Sequence, residues 1–276
     1  MKRRAQPWLG TLVEVTLVDA LDETAAAGAF NAAFGAIAEV HRLMSFHDDA
    51  SDVGRINRMA VDSVLQVHRH TATVLRAALD MSVATGGLFD IACASKLVQW
   101  GYLPGAGADA NAIHGGSRPA LHVDEAGNVR KLAPVLIDLG GIAKGYAVDM
   151  AVAALQKHGV AAACVNAGGD LRVFGENPFP VMVRDPRSPE NMACRIDLDN
   201  AAMATSGSYF SQREVDGCMR SALVHAASGN ALVDSRSATV QAPDCMTADA
   251  LTKLVLLSAD PQHPLLQRFG ATAFII

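Results

Sequence analysis

The chain has 276 residues, half of them hydrophobic, and a formal net charge of −5 at pH 7. It is long enough to bury a full hydrophobic core, and its composition excludes the fibrous and disordered classes. The lysines and arginines are scattered, so the sequence lacks the broad basic surface that nucleic-acid binding requires. Five cysteines without CxxC spacing indicate reduced thiols rather than a disulfide framework or a zinc site.

The N-terminal sequence, MKRRAQPWLGTLVEV, begins with basic residues as a signal peptide does. Pro7, Gly10 and Glu14 interrupt the apolar run that should follow. We therefore expect a cytoplasmic protein as the chain is written, or a periplasmic one if an export signal was removed. No apolar stretch reaches about 18 residues without a charge or a helix breaker, so we expect no membrane span.

The first half of the sequence predicts one strand, several helices and a hairpin. In chain order these are a strand at 11–18, an amphipathic helix at about 22–43, a short helix entered from HDDASDVGRIN, a helix in TATVLRAALDMSVATGG, a helical turn at 96–103, and a hairpin in ALHVDEAGNVRKL with its turn at EAGN. GAGADA at 105–110 formally fits a dinucleotide-binding pattern, but no βαβ unit surrounds it. We predict a loop there.

The second half predicts a strand, a glycine turn and a helix at about 134–158, followed mainly by strands. The strands are expected in the segment ending VNAGGD, then in RVFG, FPVMVR, CRIDL, AMATSG and ATVQAP, with a helix at about 244–257 and a terminal strand ATAFII. This mixed order predicts an α+β fold with antiparallel strands. Each half carries a helix followed by several strands, which permits an internal duplication. No linker divides the chain, so we expect one domain, residues 1–276.

Four small-residue turns each carry a polar group. They are TGGLFD (85–90), DLGGIAKG (138–145), VNAGGD (165–170) and ATSGSY (204–209). Any one of them alone predicts a structural turn. Four in one chain favour a bound nucleotide, because such turns allow a ligand to approach the backbone and offer it N–H groups.

The C-terminal helix and His225 could each have a chemical role or a structural one, and the residue spacing alone does not decide between them. Asp249, Thr252 and Lys253 lie at i, i+3 and i+4 of the predicted C-terminal helix and share one face. An acid and a hydroxyl so placed can ligate Mg²⁺, but on spacing alone we predict an exposed ion pair between Asp249 and Lys253. His225 fits either a general base or a partly buried structural histidine, and its position alone favours the second.

Taken together and in this order, these stretches resemble the ApbE family of flavin transferases. The match runs through LGTLVEV, LMSFHDDASDVGRIN, GGLFD followed by KLVQWG, IDLGGIAKGYAVD, VNAGGDLRVFG, ATSG and TADAL. DLGGIAKGYAVD and VNAGGD at their spacing are the most specific motifs. The resemblance covers nearly the whole chain and implies two related α/β halves, with mixed or antiparallel sheets and the flavin bound between the halves.

The resemblance also implies an activity, that of an FAD:protein FMN transferase. Such an enzyme binds FAD with Mg²⁺ and passes the FMN half to a threonine or serine hydroxyl of an acceptor protein, with release of AMP. One alternative is an FAD pyrophosphatase that uses water as the acceptor. Another is an FAD-binding carrier or regulatory protein with impaired catalysis, and a fourth is a structural domain without a ligand.

The family pattern assigns roles to residues of this chain. Positions that contact the flavin nucleotide match Met44, Phe46, Leu88, Phe89, Asp90, Asp138, Lys144 and Asp170. Metal ligands match Asp249 and the backbone carbonyls of Gly141 and Ala143. We add Thr252, which does not match a family ligand but offers a hydroxyl next to the position where the family carries a threonine ligand. The catalytic positions match Asp249 and His225, with His225 as the base that takes the acceptor's proton.

Two departures from the family pattern bear on this activity. The family carries a threonine four residues after the metal-binding aspartate, whereas ADALTK places Lys253 there. A protonated lysine cannot ligate a metal, but its ammonium can occupy the cation's place beside phosphates. His225 opens HAASGN instead of HIIDPRTG, so the following acid and arginine are missing. Flavin binding tolerates both changes better than transfer does.

Overall fold

A computed structural model describes residues 1–105, 116–226 and 228–276 of the protein. Apart from Gly105, the predicted GAGADA loop lies outside these residues. The helices are α1 (Glu23–Met44), α2 (Asp52–Arg58), α3 (Arg69–Ala84), α4 (Ala94–Gln99), α5 (Ala143–Lys157), α6 (Cys245–Ser258) and α7 (Pro264–Arg268). The strands are β1 (Lys2–Trp8), β2 (Thr11–Leu17), β3 (Val64–Gln66), β4 (Leu121–Val123), β5 (Asn128–Lys131), β6 (Ala163–Ala167), β7 (Asp170–Phe174), β8 (Phe179–Asp185), β9 (Ser188–Leu198), β10 (Ala202–Gly207), β11 (Arg213–Val215), β12 (Cys218–Arg220), β13 (Val224–His225), β14 (Asn230–Ala231), β15 (Ser237–Ala242) and β16 (Thr272–Ile275).

The predicted α+β fold class is confirmed, and the strand pairs of the described residues are antiparallel. The internal duplication that the element order permits stays a prediction. One element that the sequence analysis missed is β1, which pairs with β2 from Lys2 to Trp8. The hairpin turns at Leu9 and Gly10, both with positive φ, and Pro7 is tolerated because β1 lies at the edge of its sheet.

The chain divides into two compact units, each assembled from separate segments. Unit 1 comprises residues 1–41, 142–207 and 236–276, and unit 2 comprises residues 42–141 and 208–235. The expectation of a single domain stays a prediction. Two of the boundaries fall inside motifs singled out from the sequence, DLGGIAKG and ATSGSY.

Unit 1 is built on a seven-stranded antiparallel sheet in the order β1-β2-β6-β7-β10-β15-β16. Its main core lies between β2, β6, α1 and α5. This core includes Val13, Val15, Leu17, Phe30, Phe34, Ile37, Val148, Val152, Leu155 and Val165, all buried. A second apolar cluster joins β7 and β10 to the β8–β9 hairpin. Helix α6 packs against α5, β10 and β15, which places its polar face next to the start of α5.

Unit 2 combines α2, α3 and α4 with a three-stranded sheet in the order β3-β5-β4 and two small hairpins, β11–β12 and β13–β14. Its two segments are joined by polar contacts. The Tyr102 hydroxyl donates to the carbonyl of Ser211 (2.6 Å), and Arg213 donates to the carbonyl of Trp100 (2.7 Å). The guanidinium groups of Arg213 and Arg220 lie over the rings of Tyr102 and Trp100. These contacts hold the β11–β12 hairpin against the end of α4.

The helices of the described residues do not combine the length and hydrophobicity that a membrane crossing requires. The cytoplasmic location stays a prediction.

Candidate active site

The IDLGGIAKG segment enters α5 without the strand that its apolar residues predicted. Residues 134–139 form no strand, because their backbone groups bond to partners outside a sheet. The side chain of Asn57 donates to the carbonyl of Ile137 (2.9 Å) and accepts from its N–H (2.8 Å). The N–H of Asp138 donates to the carbonyl of Ile91 (2.9 Å). A buried asparagine therefore replaces a strand partner and fixes the approach to the glycine turn.

The glycines of this motif serve close packing rather than unusual backbone angles. Gly140, Gly141 and Gly145 are not among the described glycines with positive φ. At Gly145, a Cβ would lie 2.2 Å from the carbonyl oxygen of Cys245, the first residue of α6. Glycine at this position allows the N-terminal ends of α5 and α6 to touch. This contact brings Lys144 beside the side chains of α6.

Four charged residues of unit 1 meet at this contact: Lys144, Asp170, Asp249 and Lys253, which we call the Asp249 cluster. Lys144 donates to Asp170 Oδ2 and lies 3.4 Å from Asp249 Oδ2. The N–H of Gly145 also donates to Asp249 Oδ2 (3.2 Å). Lys253 Nζ contacts Asp249 Oδ1 and donates to the backbone carbonyl of Asp249 (2.9 Å). Both oxygens of the Asp249 carboxylate therefore contact an ammonium group.

The acidic and the basic side chains of the cluster differ in their exposure to solvent. The carboxylates are buried, with 0% of the Asp249 side chain and 4% of the Asp170 side chain exposed, whereas 31% of Lys144 and 13% of Lys253 are exposed. The prediction of an exposed helix ion pair between Asp249 and Lys253 is wrong about the exposure. The pair exists, but its acid is fully buried because α6 packs against β10 and β15.

The electrostatics of the cluster follow from this burial. Burial alone would raise the pKa of Asp249, but the charges of Lys144 and Lys253 outweigh it and hold that pKa below its usual range. Burial and the neighbouring Asp249 charge raise the pKa of Asp170. Burial opposes the charge of Lys144, yet Asp170 and Asp249 hold its pKa above the ordinary value. The lysine is therefore a fixed cation at neutral pH.

The side chains predicted to hold Mg²⁺ do not fit that ion as they stand. Asp249 is occupied by two ammonium groups. The hydroxyl of Thr252 donates to the carbonyl of Asp249 (2.6 Å) and shares a hydrogen bond with Ser206 Oγ (2.8 Å). In the described part of the chain, His, Cys, Asp and Glu side chains nowhere gather in a group of three that could hold a metal.

Six of the residues predicted to contact the flavin belong to unit 2, and three of these six are buried. Met44, Phe46 and Phe89 are 5%, 7% and 4% exposed, and Leu88 is half-buried. The carboxylate of Asp90 accepts hydrogen bonds from Ser82 Oγ, from Ala92 N–H and from Ser117 N–H. These bonds order the GGLFD turn after α3, so Asp90 has a clear structural role.

The other predicted site residues described here lie in the glycine turn before α5, in the β6–β7 hairpin and on the short strand β13. Asp138 accepts from the N–H of Gly140 (3.1 Å) within the glycine turn. VNAGGD forms the tight β6–β7 hairpin, in which Gly168 and Gly169 both adopt positive φ, as two-residue hairpins favour. His225 lies on β13, and its Nδ1 is buried with no hydrogen-bond partner among the described residues. In a neutral imidazole, a ring nitrogen without a partner is either the N–H or the acceptor nitrogen.

A sequence model of the ApbE family matches residues 9–275. The chain belongs to the ApbE family. Among the relatives, a protein from Vibrio cholerae named FAD:protein FMN transferase is 29% identical, over 77% of this chain and 68% of its own length. A protein of the same name from Salmonella typhimurium is 27% identical, over 85% of this chain and 72% of its own length.

Solved ApbE structures have the same fold. The ApbE protein from Thermotoga maritima has a TM-score of 0.86 and 27% identity, and the match covers 100% of this chain and 94% of that one. The recognition of the family from its motifs is therefore confirmed, and so is the fold class expected from it.

The sequence analysis missed two residues that position the site. Asp149 on α5 accepts from the first N–H groups of α6, those of Cys245 (3.0 Å) and Met246 (2.9 Å), and pairs with Arg172 (2.7 Å). Asn57 holds the segment before Asp138, as described above. The sequence offered a signal for Asp149, which stands in an otherwise apolar stretch, but none for Asn57, which stands among arginines. It gave no indication of the distant partner of either residue.

Proposed function

We propose that this chain is an FAD:protein FMN transferase, an enzyme that attaches FMN to a hydroxyl of an acceptor protein. The observation that carries the proposal is its membership of the ApbE family over residues 9–275, together with relatives that bear this name at 25–29% identity. The Asp249 cluster supports it, because two ammonium groups stand at the start of a helix, where a phosphate is favoured.

In the proposed reaction, the hydroxyl oxygen of an acceptor threonine or serine attacks the phosphorus of the FMN half of FAD. A new phosphorus–oxygen bond forms, and the bond from that phosphorus to the bridging oxygen breaks. AMP leaves with the electron pair of the broken bond, and the proton of the hydroxyl passes to a base. Such phosphoryl-type transfers depend on positioning the reactants and on stabilising the developing negative charge.

The residues divide between these tasks. Lys144 and Lys253 are proposed to stabilise the charge on the pyrophosphate, with Asp170 and Asp249 holding the two ammonium groups in place. Met44, Phe46, Leu88 and Phe89 are proposed to form the flavin contact, together with the turns at Asp90 and Asp138 that shape it. The partly exposed Leu88 is the member of this group best placed to touch a ring.

His225 is proposed as the base that takes the hydroxyl proton. Its Nδ1 is buried and has no hydrogen-bond partner among the described residues. The unprotonated nitrogen of a neutral imidazole can act as a general base. This favours the base over the structural alternative, because a structural histidine pairs its buried nitrogens.

The Mg²⁺ expected from the family pattern would take Gly141, Ala143, Asp249 and Thr252 as its ligands. Asp249 and Thr252 do not present free oxygens to it, since the contacts described above use them. In the proposed step, the positive charge therefore comes from the chain's own lysines, Lys144 and Lys253.

Lys253 also supports a second candidate function, that of an FAD-binding carrier or regulatory protein that does not cleave FAD. It is favoured by the contact of Lys253 with Asp249, because this contact leaves the catalytic aspartate fully paired. The carrier binds FAD tightly and releases no AMP.

The experiment that separates these functions measures AMP released from FAD by the purified protein, using chromatography. The acceptor is a small flavinylation domain with one target threonine, and the matched control is the same domain with that threonine replaced by alanine. The proposal predicts AMP in amounts that match the acceptor and little AMP with the control domain.

Other results would contradict the transferase. AMP together with free FMN, in equal amounts with either domain, would identify an FAD pyrophosphatase. Bound FAD without AMP would identify the carrier, and the absence of FAD binding would leave a structural domain.

A further inference from the structure

The Asp249 cluster already contains the positive charge that an isolated acidic site would recruit from solution. Lys253 Nζ is fixed at two points on one residue, the carboxylate and the backbone carbonyl of Asp249. Lys144 Nζ is likewise held by Asp170 and Asp249. An ammonium group has three N–H donors. The contacts with described residues therefore leave one donor on each lysine for a ligand.

The charges of the cluster balance without a metal. Two carboxylates and two ammonium groups give a formal charge of zero (−2 + 2 = 0). If residue 253 were neutral, the same cluster would carry −1 and Asp249 Oδ1 would lose its ammonium partner. Such a site, with an unpaired carboxylate oxygen, is one that a hard divalent cation stabilises. With Lys253 present, a divalent cation must displace an ammonium from a buried acid.

The accessible side of the cluster is positive. The carboxylates are buried, and the ammonium-bearing side chains are the ones that reach solvent. The cluster lies at the start of α5, whose dipole adds positive potential there. The hydroxyl of Thr252 shares a hydrogen bond with Ser206 on β10, and this hydrogen bond fixes the turn of α6 that carries Lys253. The ammonium is therefore held on a rigid element.

We infer that Lys253 takes the place of a divalent cation in this site, so that the protein binds the pyrophosphate of FAD without Mg²⁺. This inference rests on the proposed function for the identity of the ligand. The positive charge that balances the pyrophosphate would then be supplied by a side chain of the protein. Its FAD affinity is independent of Mg²⁺, and so is any AMP release.

The test measures FAD affinity by calorimetry in EDTA and again with Mg²⁺, for the wild type and two variants. The wild type is expected to bind equally under both conditions. Lys253→Met, which removes the charge, is expected to lose at least about tenfold in affinity in EDTA. Lys253→Thr, which supplies a hydroxyl, is expected to gain at least about tenfold when Mg²⁺ is added, because the unpaired Asp249 oxygen then recruits the ion.

The matched control is Lys157→Met, which removes the same charge from an exposed position at the end of α5. It is expected to bind FAD like the wild type. Thermal unfolding of each variant identifies any loss of folding, and if Lys253→Met does not fold, the wild type in EDTA and Mg²⁺ still decides the question.

Each outcome bears on a different claim. FAD binding that needs Mg²⁺ in the wild type overturns the inference, whether or not AMP is released. Equal binding in EDTA without any AMP release supports the inference and contradicts the transferase. Metal-dependent AMP release supports the transferase and contradicts the inference. If FAD binds under neither condition, both are wrong.

Discussion

The carboxylate of Asp249 contacts the ammonium groups of Lys144 and Lys253 and the N–H of Gly145. The sequence identified this residue by its family motif and placed it on the correct helix. It did not indicate that the acid is fully buried, because i,i+4 spacing is the same for an exposed pair and a buried one. Burial depends on β10 and β15, which cover α6 from distant parts of the chain.

Replacing Asp249 with asparagine is expected to destabilise the protein by about 3 kcal/mol at pH 7, since it leaves the ammonium group of Lys253 without its acid and that of Lys144 with Asp170 alone. The pKa of Asp249 is below its ordinary value of 3.8, so its contribution is present above that value and is lost as the pH falls through the lowered pKa. Urea denaturation should therefore give a large difference in the free energy of unfolding between the wild type and Asp249→Asn at pH 7, and a smaller difference near pH 3.

Asp197→Asn is the matched control for this prediction. Asp197 pairs with Arg195 at 2.8 Å, but both side chains are exposed, at 56% and 61%. Its loss should change the free energy of unfolding by no more than about 1 kcal/mol. Equal effects of the two substitutions would contradict the role of Asp249 as the buried centre of the cluster.

The start of α5 meets the start of α6 at Gly145, and this contact brings the cluster together. The sequence predicted both helices because their apolar residues recur with helical spacing, and it predicted most strands from their short apolar runs. It failed at 134–139, where an apolar run forms no strand because Asn57 satisfies the backbone of Ile137. A side chain 80 residues away in sequence cannot be inferred from a local pattern.

Gly145→Ala tests the contact between the helices. The new Cβ would lie 2.2 Å from the carbonyl oxygen of Cys245, so the helices must move apart. We expect a loss of about 1–3 kcal/mol in the free energy of unfolding, together with weaker FAD binding because Lys144 moves away from Asp249. Chemical denaturation and calorimetry measure the two effects.

Gly28→Ala in α1 is the control for the same substitution. This glycine is exposed, and a Cβ there meets nothing within 4 Å. Because alanine favours the helix, this change is expected to stabilise the protein by about 0.5–1 kcal/mol and to leave FAD binding unchanged. A stabilising effect of Gly145→Ala would show that the helices are not in close contact.

The whole chain alternates between its two units at four points, after residues 41, 141, 207 and 235. No linker composition marks these points, so the sequence predicted one domain. Two of them lie within glycine motifs, which the sequence did single out, although as ligand-binding turns rather than as boundaries. The family and the fold class were predictable because several specific motifs occur in order along the chain. The partners of individual side chains were not, because they lie far apart in sequence.

The most direct test of the central claim is the intact mass of the acceptor domain after incubation with FAD and this protein. A transferase predicts that the domain with its target threonine gains the mass of FMN less one water, while the threonine-to-alanine domain gains nothing. Unchanged masses for both domains, under conditions in which FAD binds to the protein, would contradict the transferase and favour the carrier.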